Sequence, residues 1–142
     1  MNDLEHAVNE LINPVQDFIE KLKLGVINLE EEAREYPARK ARYNLALEQA
    51  KAKLARQKFK QKYVYYKLYK KHKEEAQAKG TKITEEGVKA LIMTDSEYIK
   101  VSKEVLELEE LVGKLQAAKE AVDDVGRMLY LLKESPDHRL GY

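Results

Sequence analysis

Between Ala38 and Lys79 this sequence sets 14 Lys and Arg against three Glu, a local net charge of +11, and interleaves Tyr63, Tyr65, Tyr66 and Tyr69 among them. Cations neutralise phosphates and flat phenol rings take unpaired bases, so the combination carries the chemistry of single-stranded nucleic-acid binding. The chain total conceals it. Residues 1–37 carry −6 and residues 80–142 carry −4, which leaves +1 overall. The competing reading is a solvated helix whose tyrosines pack in a core.

Helical spacing divides the basic residues into two ridges. At 100° per residue Lys53, Arg56, Lys60, Lys67 and Lys71 fall within about one sixth of the circumference. Lys51, Lys58, Lys62 and Lys73 lie on another face, near Tyr69. Two apolar stripes run between them, one of Leu47, Ala50, Leu54, Tyr65 and Leu68, the other of Leu45, Ala52, Ala55, Phe59 and Tyr66. Tyr65 and Tyr66 are therefore expected in the core, and Tyr63 and Tyr69 are the base-stacking candidates. The candidate nucleic-acid-binding residues are Lys53, Arg56, Lys58, Lys60, Lys62, Tyr63, Lys67, Tyr69 and Lys71. A hairpin uses one stripe; the second implies a further subunit or the N-terminal segment.

Catalysis finds little support. His6, His72 and His138 stand apart, and the absence of cysteine excludes disulfides and thiol chemistry. No phosphate-cradling Gly-rich loop occurs, and Lys79-Gly80-Thr81-Lys82 is too short for one. The expectation is a protein that is not an enzyme and uses no cofactor or metal.

The elements that must hold these residues are helices. Charged residues make up 36% of the 142, with two Phe and no Trp, which suits long helices burying narrow seams. The expected fold is all-α: a long antiparallel, coiled-coil-like helical hairpin with a short helical tip and an N-terminal helical arm. The expected divisions are an acidic arm over 1–35, the hairpin over 36–134 and a disordered tail over 135–142. In the arm Asn13 is expected to cap a helix begun by Pro14, and Gly25 to end it. Pro37 is expected to open the basic helix, which runs to about Gln77 and stops at Gly80. Thr84 caps a short tip helix to Met93. Thr94 with Glu97 reads as a capping box for the last helix. Its ladder is Tyr98, Val101, Val105, Leu108, Val112, Leu115, Val122, Val125, Leu129 and Leu132, with Ala118 and Ala121 replacing the misplaced Lys119. Gly113 and Gly126 mark a close approach or a kink. No run of about 18 apolar residues suggests a membrane span. The N-terminus lacks a signal-peptide pattern, so a cytoplasmic location is expected.

One stretch resembles a known family. Leu54 to Tyr66, with Lys60-Gln61-Lys62 ahead of Tyr65-Tyr66, looks like the basic element of the UvsY family of phage recombination mediators, in which a Lys-x-Arg pair precedes a double Tyr; here Lys62 replaces the Arg. The resemblance continues through Val88–Asp95 and covers about 36–132; residues 1–35 find no counterpart. It implies a ring-like homo-oligomer, encoded by a bacteriophage and active in the host cytoplasm, that binds single-stranded DNA. Such a protein acts in recombination and repair by reorganising strand coated with single-strand-binding protein and loading a RecA-like recombinase. Lys60 and Lys62 lie about 160° apart on a straight helix, so one of them is expected to face a partner subunit. Two other classes fit part of the pattern. A helical scaffold, such as a coiled-coil adaptor or secretion chaperone, explains the heptads without any nucleic acid. A module on anionic membrane would use the basic ridges, but the sequence shows no exposed apolar wedge.

Overall fold

Ala, Leu, Lys, Gln and Arg dominate residues 38–78, no Gly occurs between Leu29 and Ala78, and the result is one helix, α1, over Leu29–Ala78. The computed structural model describes residues 29–134 together with His6, Asn9, Glu10, Asn13, Gln16, Asp17 and Glu20. Two further helices follow, α2 over Glu85–Met93 and α3 over Ser96–Glu134. The architecture is all-α, and α1 and α3 pack against each other as an antiparallel helical hairpin. Asn13 is itself helical, which a capping residue is not; the positions expected for Pro14, Gly25 and the tail lie outside the described residues.

α1 does not begin at Pro37. It starts at Leu29, where Glu30, Glu31 and Glu32 face the positive end of the helix dipole. Pro37 sits inside, without the N–H that would bond one turn back. Arg39 clasps the turns around it: its two terminal nitrogens donate to Glu32 and Glu35, both at 2.6 Å. At the other end Gly80 adopts φ +68. Gly80 N–H donates to the Gln77 carbonyl and Thr81 N–H to that of Ala76, both at 3.0 Å. This is the double bond of a Schellman stop, and it explains why a glycine stands there.

The Thr84 hydroxyl accepts from Gly87 N–H at 3.0 Å and caps α2 as expected. The start of α3 corrects the expected box. The Thr94 hydroxyl donates backward, to the carbonyls of Ala90 and Leu91, and closes α2. Asp95 caps α3, its carboxylate accepting from Glu97 N–H at 2.9 Å. A carboxylate one residue nearer the helix accepts from the second free amide, which leaves Thr94 to end the previous element.

The described residues form two compact units, one drawn from within 1–50 and 111–134 and the other of residues 51–110. In the first, Tyr43, Ala118 and Val122 form a cluster backed by Tyr36, and Leu47, Ala50, Leu111, Leu115 and Leu129 are also buried. In the second, Val64, Leu68, Val88, Ile92 and Val101 form the core, with Tyr65, Tyr69, Ile83 and Tyr98 packed against it. The α3 ladder is largely as expected, Ala118 included, but Leu111 is buried and Val112 only half-buried. Two successive steps of three, 105–108–111, shift the seam by one residue there.

The glycines of α3 differ. A Cβ on Gly113 would meet nothing within 4 Å, whereas one on Gly126 would collide with the Tyr36 ring. Gly126 therefore marks a close approach and Gly113 does not. Gly113→Ala should raise stability by up to about 1 kcal/mol, the ordinary helix-propensity gain. Gly126→Ala should lower it by about 1–3 kcal/mol, because the ring must leave its half-buried place. Urea melts of the two variants should move in opposite directions; a shared gain would show that Tyr36 yields without cost.

Candidate nucleic-acid interface

From Lys51 to Lys73, all within the second unit, α1 carries ten Lys and Arg and no Asp or Glu. Its buried edge decides which faces remain for a ligand. Tyr43, Leu47, Ala50, Leu54, Gln57, Gln61, Val64 and Leu68 are buried or half-buried, a strict alternation of steps of four and three. Gln57 and Gln61 occupy seam positions and are satisfied across it: Gln57 Nε2 donates to Glu104 at 2.5 Å and Gln61 Nε2 to the Ser102 hydroxyl at 3.0 Å. Two polar pairs in an apolar seam hold the helices in one register.

With that seam fixed, the second apolar stripe points to solvent. Phe59 is 74% exposed, Tyr63 64% and Tyr66 68%. The expectation that Tyr66 lies in the core is thus corrected: it sits about 160° around the helix from Leu68. Tyr65 is half-buried on the core cluster as expected. Its ring meets Tyr66 edge-on at 5.6 Å between centroids and Tyr98 at 5.9 Å. Tyr66 therefore rests on a ring that the core already holds. Phe59, Tyr63, Tyr66 and the exposed Lys70 follow one another at steps of four, three and four, on the face opposite the seam. Sequence spacing places Phe59 in an apolar stripe because Gln57 and Gln61 disguise the heptad. The steps of four and three from Tyr43 to Leu68 are the signal that would have placed it outside.

The basic residues flank this aromatic strip. Lys53, Arg56, Lys58, Lys60, Lys62, Lys67 and Lys71 are all exposed. Lys58 lies 3.5 Å from Glu109 of α3, and Lys67 donates to Glu97 at 2.7 Å. The Glu97 hydrogen bond holds the Lys67 ammonium above its ordinary pKa. Lys53, Arg56, Lys60, Lys62, Lys70 and Lys71 make no ion pair among the described residues. Tyr69 stands apart from the strip. It is half-buried, and its hydroxyl donates to both oxygens of Glu85 at 2.9 and 3.0 Å. Lys73 joins the same carboxylate at 2.9 Å, with its ammonium 5.7 Å from the Tyr69 ring centroid. The hydrogen bonds from Lys73 and then Tyr69 lower the Glu85 pKa, and Glu85 in turn raises those of Lys73 and Tyr69. This triad ties the first turn of α2 to α1.

Among the described residues no three His, Asp or Glu side chains are grouped so as to hold a metal, and no helix is long and apolar enough to cross a membrane. Comparison with protein-family models, curated protein sequences and solved structures finds no match.

Proposed function

We propose that this protein binds single-stranded DNA along the exposed face of α1 and acts as a recombination mediator. The observation that carries the binding is the strip of Phe59, Tyr63 and Tyr66, exposed and bordered on both sides by lysines in a stretch without carboxylates. Aromatic faces stack bases of any sequence, and flanking cations hold the backbone. A duplex offers no unpaired bases to such a strip. The mediator role rests on the resemblance of Leu54–Tyr66 and Val88–Asp95 to the UvsY family. In that role copies of the chain assemble into a ring, organise strand coated by single-strand-binding protein and load a RecA-like recombinase in the cytoplasm of a phage-infected cell. Repeating a weak face around a ring raises avidity through effective concentration.

Fluorescence anisotropy tests the binding step, with a labelled mixed-sequence single strand and the same sequence as duplex, each at several salt concentrations. Four to five phosphate contacts give a slope of log K against log salt of about −3 to −3.5, at roughly −0.7 per contact. Preference for the single strand with that slope is expected, and Arg56→Ala should weaken binding alike on all sequences. Absence of binding at low salt would leave a helical scaffold as the working function. A third outcome is open to measurement as well. Phe59 is an apolar projection beside lysines, contrary to the expectation that no such wedge is exposed. Flotation with anionic liposomes in place of DNA binding would move the site to a membrane surface.

A further inference from the structure

The aromatic strip has a basic ridge on each side, at similar angular distances, so charge count alone does not choose the phosphate track. The carboxylates of the neighbouring helices do. On the side of Lys58, Lys62 and Lys73, Glu109 stands 3.5 Å from Lys58 and Glu85 stands 2.9 Å from Lys73. Glu85 also receives Tyr69, so its position is fixed from two directions. Only Lys62 of these three makes no ion pair among the described residues. A phosphate approaching this ridge meets carboxylates of its own sign and has to displace them. On the other side Lys67 alone is paired among the described residues, with Glu97. Lys53, Arg56, Lys60 and Lys71 are exposed, carry no ion pair among the described residues, and extend over about 27 Å of helix axis at 1.5 Å per residue.

We propose that the strand lies on α1 with one polarity across the helix: phosphates along Lys53, Arg56, Lys60 and Lys71, bases over Phe59, Tyr63 and Tyr66. The Lys58–Lys73 ridge is the closed side, where Lys58 and Lys73 are engaged in holding α3 and α2 to α1 and only Lys62 is uncommitted among the described residues. Glu97 is a built-in competitor within the open track, between Lys60 and Lys71, occupying Lys67 until a phosphate replaces it. Exposed pairs of this kind are weak, so the replacement is easy and the competitor tunes affinity without blocking the site. This assignment rests on the single-strand reading above and adds the side from which the backbone is held.

Two double variants of equal net charge separate the ridges: Lys53→Gln with Lys60→Gln, and Lys58→Gln with Lys73→Gln. Each is titrated with the labelled single strand across salt, and thermal melts confirm that both are folded. The first pair should lose at least about ten-fold in affinity at low salt and flatten the slope by about 1.4, two contacts at roughly 0.7 each. The second should stay within about two-fold with its slope unchanged. Glu97→Gln should bind a few-fold more tightly, with a slope steeper by about 0.7, because Lys67 joins the track. Equal losses from the two double variants, or a greater loss from Lys58 and Lys73, would overturn the assignment while leaving single-strand binding intact. An unaltered protein that binds no single strand would overturn the functional reading itself.

Discussion

Phe59→Ala, Tyr63→Ala and Tyr66→Ala combined should abolish single-strand binding at physiological salt while the protein stays folded. Stacking is worth about 1–3 kcal/mol per base, so three rings that each take a base account for at least about 3 kcal/mol. That is a loss of more than about 100-fold. All three side chains are more than 60% exposed, and surface changes of this kind shift stability by about 0.5 kcal/mol or less each. The loss should persist at high salt, unlike that from removing a lysine, since stacking does not depend on counterion release. Anisotropy alongside urea melts reads both quantities. Unchanged affinity in the triple variant would remove the strip from the interface and leave the lysines acting alone.

Leu68→Ala is expected to do the reverse. Leu68 is 2% exposed and sits among Val64, Val88, Ile92 and Val101, where α1, α2 and α3 meet in the second unit. Removing a buried leucine side chain costs about 2–5 kcal/mol, the lost transfer energy plus the cavity left behind. Native proteins hold only about 5–15 kcal/mol in total, so the urea midpoint should fall markedly. DNA affinity at low temperature, measured where the variant remains folded, should be nearly unchanged, because Leu68 faces away from the strip. A small stability loss would mean that the α2 tip is held chiefly by Glu85, Lys73 and Tyr69. Phe59 and Leu68 stand nine residues apart on one helix, yet truncating each should affect a different property.

The local signals were legible in the sequence wherever chemistry is short-range. Gly80 ends α1 because only a residue without Cβ takes positive φ there freely, and the Schellman bonds follow from that geometry. Thr84 caps α2 by its own side chain. The α3 ladder and the replacement of Lys119 by Ala118 could be read from apolar spacing. Boundaries were harder where two local options compete. Pro37 offers a start, but α1 reaches back through the acidic turn to Leu29 and runs through the proline, and Asp95 takes the capping role that Thr94 also offered.

The sequence by itself determined that the protein is a helical hairpin and that one long helix carries a dense, carboxylate-free block of cations and aromatics. These depend on composition, propensity and periodicity, which act within a few residues. Only the tertiary structure decided which face of that helix is buried. Gln57 and Gln61 read as surface residues, but Glu104 and Ser102 satisfy them in the seam, and this turns Phe59 and Tyr66 outward. It likewise decided which cations remain uncommitted, because Glu85, Glu97 and Glu109 reach Lys73, Lys67 and Lys58 from other helices. Pairings across 12, 30 and 51 positions leave no periodic trace in a chain, since they arise only when packing brings the helices side by side.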